Sequence, residues 1–421
     1  MKKYLLITFF AGISVCQAEV PRLKLGVENI SPTVLASMQK NRIGLITNQT
    51  GIDQQGRRTI DILRQQGVNI TYLFAPEHGI NGTILAAARV PDSVDEKTGI
   101  PVVSLYSSPT ADHAPGQQYL DAIDMLVFDM QDSGMRHYTY ISTLFYALKA
   151  AAANNKPIIV LDRPNPLGGL IEGPVVDPEL FSFISIAPIP VRYGLTIGEL
   201  AHYFNTYLLT PPAQLQIVPL SNYERMPSSE LLMRVPLSPN LHSHAGLMGY
   251  SFLGLLGEIE PFDVGVGTEY AFRCLLLPDQ APYQGAVWSQ VQHLLTLYGI
   301  ASQPIQYVHS RKKIAYKGLC LTDIAVAQLS SFSLLLDIIT LFKMHGVPFS
   351  FSAFFDKAVG TRLVREYVLN LGPDNVSGIT VPLAESIAAS LKRFWAQARH
   401  ILLYPSTNVR VNYQVAKKVI R

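Results

Sequence analysis

Short, continuously apolar runs rich in β-branched residues punctuate the first 165 residues. Five of them, "RIGLITN" from Arg42, "ITYLFAP" from Ile70, "VVSLY" from Val102, "MLVFDMQ" from Met125 and "IIVLDRP" from Ile158, recur at roughly 30-residue intervals. Runs without polar alternation are strands covered on both faces. Between them, "TIDILRQQG" and "YISTLFYALKAAAANN" carry helical spacing. Strands alternating with helices predict a parallel sheet, so residues 19–245 are expected to form a Rossmann-like α/β domain. A further strand and helix are expected in "FSFISIAPIPVRYGLTIGELAHYFN", with Thr196 capping the helix and Glu199 completing a capping box. From about residue 245 the pattern changes to mixed short strands, such as "RKKIAYKGLCL", and two long helical stretches around Ser333–His345 and Pro382–Leu403. A smaller α+β domain is expected over 246–421.

Composition adds the compartment. The start, "MKKYLLITFFAGISVCQAEVPRL", has two lysines, an apolar run from Leu5 to Val15 and a small residue at Ala18. That pattern predicts a signal peptide over residues 1–18 and a periplasmic or secreted product. Cys16 raises the alternative of a lipid anchor, which Val15 before it disfavours. No later run approaches the roughly 20 apolar residues of a membrane span, because Asp337 and Lys343 interrupt "SFSLLLDIITLFKMHG". A net charge of +3 over 421 residues is too weak to argue for nucleic acid. Cys274 and Cys320 allow one disulfide but neither a framework nor a four-cysteine zinc site. Their pairing is open.

In an open parallel sheet, ligands bind beyond the carboxyl ends of the strands. The five predicted strand ends deliver Asn48 and Gln49; Glu77 and His78; Tyr106; Asp129, Gln131 and Asp132, followed by Arg136, Tyr138 and Tyr140; and Asp162, Arg163 and Asn165. Five polar ends at one edge predict a polar cleft. With no G-x-G-x-x-G and no P-loop, phosphate cradling is unsupported, and the amides, carboxylates and tyrosines suit a hydroxyl-rich ligand such as a sugar. Glu172, flanked by Gly168, Gly169 and Gly173, is expected in a loop that enters the cleft. A metal site at His78, Glu77, Asp129 and Asp132 lacks H-E-x-x-H spacing, and His242 and His244 of "HSHAG" are expected in a loop. No G-x-S-x-G elbow supports acyl transfer. Glycoside hydrolysis needs two carboxyls flanking one bond, and Glu77 with Glu172 fit that in kind.

Several stretches carry a family resemblance: "GLITNQTG", "FAPEHGI", "TGIPVVSLY", "DMLVFDMQDSGMRHYTYISTL", "VLDRPNPLGG", "IEGP", "PVRYGLTIGEL", "SPN", "FDKAVGT" and "LLYP". In this order they resemble the exo-β-N-acetylmuramidase family over nearly the whole chain after the leader. The resemblance implies a Rossmann-like catalytic domain, a C-terminal auxiliary domain and a cleft between them. It also implies removal of terminal N-acetylmuramic acid from the non-reducing end of peptidoglycan fragments, or muropeptides, and the expected hydrolase uses neither metal nor cofactor. Carried over, Glu77 and Glu172 are the catalytic candidates. Asn48, Gln49, His78, Asp129, Gln131, Asp132, Arg136, Tyr138, Asp162, Arg163, Asn165 and Glu258 would shape the sugar site, with Arg136 or Arg163 pairing a lactyl carboxylate. Three positions depart from the family pattern: Ala88 near an expected glutamate, Val266 in place of a frequent arginine, and Tyr193 in place of a common histidine. Ala88 keeps a second expectation open, a non-catalytic muropeptide-binding protein that retains the cleft.

Overall fold

The computed structural model describes residues 22–107, 113–226, 234–280, 287–309, 312–324, 329–371 and 380–414. The expected leader over 1–18 and Cys16 lie outside them. The strands are β1 Arg42–Thr47, β2 Asn69–Ala75, β3 Ser93–Val94, β4 Pro101–Ser104, β5 Met125–Asp129, β6 Ile158–Leu161, β7 Leu170–Val175, β8 Pro190–Arg192, β9 Leu215–Val218, β10 Ile259–Glu260, β11 Cys274–Pro278, β12 Ile300–Val308, β13 Ala315–Ile324, β14 Ser350–Phe351 and β15 Arg410–Val411. The helices are α1 Pro32–Gln39, α2 Thr59–Gln65, α3 Gln117–Asp121, α4 Tyr140–Ala153, α5 Ile197–Tyr207, α6 His244–Leu256, α7 Val287–Leu297, α8 Ser331–Met344, α9 Phe355–Val359, α10 Leu363–Asn370 and α11 Thr380–Ala398.

Seven strands form the main sheet in the order β3-β4-β2-β1-β5-β6-β9. All pairs are parallel except the antiparallel edge pair of β3 with β4. Counted along the chain, the parallel strands run third, second, first, fourth, fifth, sixth, which is the Rossmann order and reverses between β1 and β5. All five predicted strands are present. The sixth, β9, was not anticipated, because "LQIV" is half exposed at the sheet's edge.

The sheet is buried on both faces. Ile43, Leu45, Met125, Val127, Ile159 and Leu161 pack with Met38 of α1 and Leu63 of α2. Their neighbours Ile46, Leu126, Phe128, Ile158 and Val160 point the other way, toward Leu144 and Leu148 of α4 and Leu200 and Phe204 of α5. This two-residue alternation of faces is why the strands read as unbroken apolar runs. Thr196 caps α5 as expected, accepting from Glu199 N at 3.1 Å while Glu199 Oε2 accepts from Thr196 N at 3.0 Å.

The second apolar core is continuous with α6, α7, α8, β11 and β13. The expected division at 245/246 falls in the first turn of α6, so His244 is helical, not in a loop, with Ser243 as its N-cap. The end of the chain returns to the first half. Leu383, Ile387, Leu391, Phe394 and Ala398 form the buried stripe of α11, and Phe394 packs against Tyr203 of α5 with tilted rings and centroids 5.3 Å apart. β15 then adds to β7, giving a small sheet ordered β15-β7-β8. Cys274 and Cys320 stand directly opposite each other on β11 and β13 as buried free thiols. Among the described residues no helix is long and apolar enough to cross a membrane.

Candidate active site

β2 carries the chain to the carboxyl edge of the sheet at Ala75, and Pro76, which has no amide hydrogen, ends the strand. Glu77 follows, only 8% exposed. Its Oε1 accepts from the Ala87 amide at 2.9 Å and its Oε2 from the Thr139 hydroxyl at 2.7 Å. Thr139 occupies the N-cap of α4, where a threonine oxygen ordinarily accepts from a free helix amide; here it makes no cap bond and its hydroxyl is turned to the carboxylate. His78 takes φ +71°, and its Nδ1 lies 2.7 Å from the Ile84 carbonyl, which closes the turn. A non-glycine residue in that region costs about 1–2 kcal/mol, and such conformations persist where surrounding contacts hold them.

Glu77 and His78 line a cavity of about 210 Å³ together with His137, Tyr138 and Thr139. The facing wall comes from Ser238 and Asn240 of the Ser-Pro-Asn stretch, Tyr250 of α6, and Phe272. One carbonyl fastens that wall to the sheet edge. Leu237 O accepts from Tyr138 OH at 2.9 Å, Tyr140 OH at 3.0 Å and Gln49 Nε2 at 3.0 Å.

At the switch between β1 and β5, polar side chains retain unused bonding capacity. Asn48 Oδ1 accepts from the Thr50 amide and hydroxyl, but its Nδ2 has no partner among the described residues. Gln131 Nε2 donates to Asp132 O and Pro164 O, leaving Oε1 unpartnered. Asp132 Oδ2 accepts from the Gly134 amide at 2.7 Å and from the Tyr193 hydroxyl, while Oδ1 has no partner. Burial pushes the Asp132 carboxyl up to about 7, against the hydrogen bonds from Tyr193, Gly134 and Ser133 that pull it down. Tyr193 is thus the hydroxyl partner of Asp132.

Other expected site residues serve the scaffold. Arg163 forms a buried pair with Asp129, Nε to Oδ1 at 2.5 Å and Nη2 to Oδ2 at 2.9 Å, and Nη2 also donates to Ile52 O. Arg136 is wholly buried and donates to Ser185 Oγ, Pro174 O, Ile189 O and Ala358 O. Neither guanidinium lines the cavity of Glu77, where the expected pairing of Arg136 or Arg163 with a lactyl carboxylate would have placed one. Asp162 accepts from Gly198 N, Thr196 Oγ1 and Tyr404 OH, and Asn165 Nδ2 donates to Leu195 O. These two hold β6, α5 and the chain's end together. Glu258 accepts from the Ser352 hydroxyl and is half-buried.

Glu172 departs furthest from expectation. It is in strand β7, not in a loop, and is 1% exposed. Gly173, at φ +80°, kinks the strand where its register with β8 shifts. Oε1 of Glu172 accepts from the Ser331 amide at 2.8 Å and hydroxyl at 2.5 Å at the first turn of α8, with Arg192 Nη1 3.4 Å away. The carboxylate satisfies a helix N-terminus and an arginine, and it does not line the cavity of Glu77. A larger cavity of about 350 Å³, beside Arg192, Arg410 and Asn412, contains no carboxylate among its lining residues. The Glu77 cavity is therefore the candidate active site.

Sequence reasoning passed over His137, Thr139 and Tyr250. The first two stand inside "MRHYTY", beside the expected site residues Arg136 and Tyr138, and Tyr250 lies in the apolar helix α6, where no sequence signal marks a site.

Comparison with known proteins gives this geometry relatives. The family model described as "Exo-beta-N-acetylmuramidase NamZ, N-terminal" matches residues 43–245. The peptidoglycan beta-N-acetylmuramidase NamZ of Bacillus subtilis (strain 168) is 39% identical over 266 residues, which is 62% of this chain and 63% of that protein. The crystal structure of a DUF1343 family protein from Bacteroides fragilis superposes with a TM-score of 0.76 at 30% identity, over 91% of this chain and all of that one. The chain belongs to the NamZ family. A second DUF1343 family structure from Bacteroides fragilis agrees at TM-score 0.71 and 25% identity, over 91% and 99% of the two chains. The alignment spans under two thirds of the Bacillus subtilis NamZ. Within a NamZ-family fold, Ala88 sits one residue beyond the amide that binds Glu77, and Ala86, two residues before it, lines the cavity.

Proposed function

We propose that the chain is an exported glycoside hydrolase that releases β-linked N-acetylmuramic acid from the non-reducing end of peptidoglycan fragments, using neither metal nor cofactor. The observation that carries this reading is Glu77, oriented through both oxygens at the wall of a cavity built from both halves of the molecule. Glu77 handles the proton at the glycosidic oxygen, and the Ala87 amide and Thr139 hydroxyl fix its orientation. The cavity size supports exo action. About 210 Å³ is below the roughly 300–1,000 Å³ of sites that enclose drug-sized ligands, and suits one terminal sugar rather than a length of glycan.

Ala88 and the sequestered Glu172 favour a second reading, a muropeptide-binding protein without turnover. Release of para-nitrophenol from para-nitrophenyl β-N-acetylmuraminide separates the two. Release by this chain supports hydrolysis. Calorimetric binding of a muropeptide with no release, under conditions where an active relative works, leaves only the second reading.

A further inference from the structure

Two side chains of the cavity wall hold hydrogen-bonding capacity that no described residue uses. His137 has no partner at Nδ1 or Nε2, and both atoms are shielded from solvent. The Tyr250 hydroxyl makes no hydrogen bond among the described residues. The two rings come from different segments, the loop after β5 and helix α6, and meet with centroids 4.7 Å apart. Helix α6 makes room for them at Gly254, where a Cβ would fall 2.8 Å from both His137 Nε2 and Tyr250 Cε2. A buried polar group without a partner is destabilising, because it has lost its hydrogen bonds to water. The cost falls on the two His137 nitrogens, and a ligand held by the imidazole and the neighbouring Tyr250 hydroxyl would offset it.

Charge narrows the ligand. Burial, with the Arg136 guanidinium nearby, pushes the His137 imidazole down to about 3, so at neutral pH the ring is uncharged and offers one donor and one acceptor. Burial first, then Asp132, Glu77 and Glu258, raises the Tyr250 phenol well above its ordinary value, so it keeps its proton and donates. No arginine or lysine lines the cavity among the described residues. This set matches an uncharged amide, whose carbonyl accepts and whose N–H donates, better than a carboxylate, which only accepts. A half-turn about χ2 exchanges the imidazole nitrogens with ring carbons and selects the edge presented to the ligand.

We propose that His137 and Tyr250 form the seat of the terminal sugar's 2-acetamido group and hold that sugar against Glu77. The assignment rests on the function proposed above. It is tested by comparing para-nitrophenyl β-N-acetylmuraminide with the same glycoside bearing a hydroxyl in place of the acetamido group. The wild type should favour the acetamido substrate in kcat/KM by about tenfold or more, equivalent to about 1.4 kcal/mol. Tyr250→Phe and His137→Phe should bring the ratio to within about threefold, acting mainly on the acetamido substrate, while His137→Gln, which keeps a donor and an acceptor, restores most of it. An unchanged ratio in Tyr250→Phe, a variant that removes one oxygen atom, at wild-type melting temperature overturns the proposal. If the wild type cleaves neither glycoside, the hydrolase reading fails, and calorimetric dissociation constants for the two corresponding free sugars decide the seat by the same ratio. Equal binding of both sugars, or binding of neither, overturns it.

Discussion

Glu77, just past the end of β2, and Glu172, inside β7, are both carboxylates expected from the sequence to enter the cleft, yet the fold gives them different work. Glu77 takes one amide and one hydroxyl and still faces a cavity. Glu172 takes an amide and a hydroxyl from α8, approaches Arg192, and faces nothing but protein. The same functional group is free for chemistry in one place and consumed by structure in the other. What differs is whether the neighbouring elements leave a void, and a carboxylate's residue type carries no information about that.

Glu77→Gln should make the largest break in this comparison. If Glu77 manages a proton, turnover of the para-nitrophenyl substrate falls by roughly 10²- to 10⁴-fold, with a melting temperature close to wild type. Retained turnover would remove Glu77 from the chemistry. Glu172→Ala should do the converse, leaving the Arg192 guanidinium buried without its carboxylate and lowering stability by about 3 kcal/mol, read from the denaturant midpoint. A Glu172→Ala protein of wild-type stability but without turnover would return Glu172 to catalysis.

A smaller effect is expected at Thr139. Thr139→Val keeps the shape and removes the donor to Glu77, so kcat/KM should fall about five- to tenfold, the equivalent of about 1 kcal/mol, with little change in stability. Activity equal to wild type would show that the Ala87 amide alone positions the carboxylate. The subtlest effect is at Asp132, a carboxyl with one oxygen unpartnered. Its native value of about 7 exceeds the roughly 3.9 of an unfolded chain, so between these values the folded state holds a proton the unfolded chain has lost. Stability contributed by Asp132 is therefore full below about pH 4, declines as pH rises through about 7, and is flat above. Asp132→Asn should remove that decline, and denaturant midpoints from about pH 4 to pH 8 would show it as the difference between the two proteins. Parallel pH profiles would place the ionised form of Asp132 in the fold.

Much of the fold was legible. β1, β2, β4, β5 and β6 were each visible because strands covered on both faces need unbroken apolar runs, and the α5 cap was visible because Thr196 and Glu199 are local partners. β9 was not, since an edge strand is half solvated and its pattern weakens. Of the expected site residues, Glu77, His78 and Tyr138 meet at one cavity, while Arg136, Arg163 and Glu172 are tied elsewhere. Arg136 bonds a carbonyl 222 residues away, and no local pattern announces such a partner.

The sequence by itself determined the parallel sheet, the edge at which polar groups gather, and the family motifs, because these follow from short-range periodicity and from residue types at fixed spacing. Only the tertiary structure decided which polar groups were spent. Tyr250 reaches His137 from 113 positions along the chain, since 250 − 137 = 113, and Glu172 finds Ser331 across 159. Hydrogen-bond saturation and enclosure are properties of space between distant segments, and that space exists only once the chain has folded.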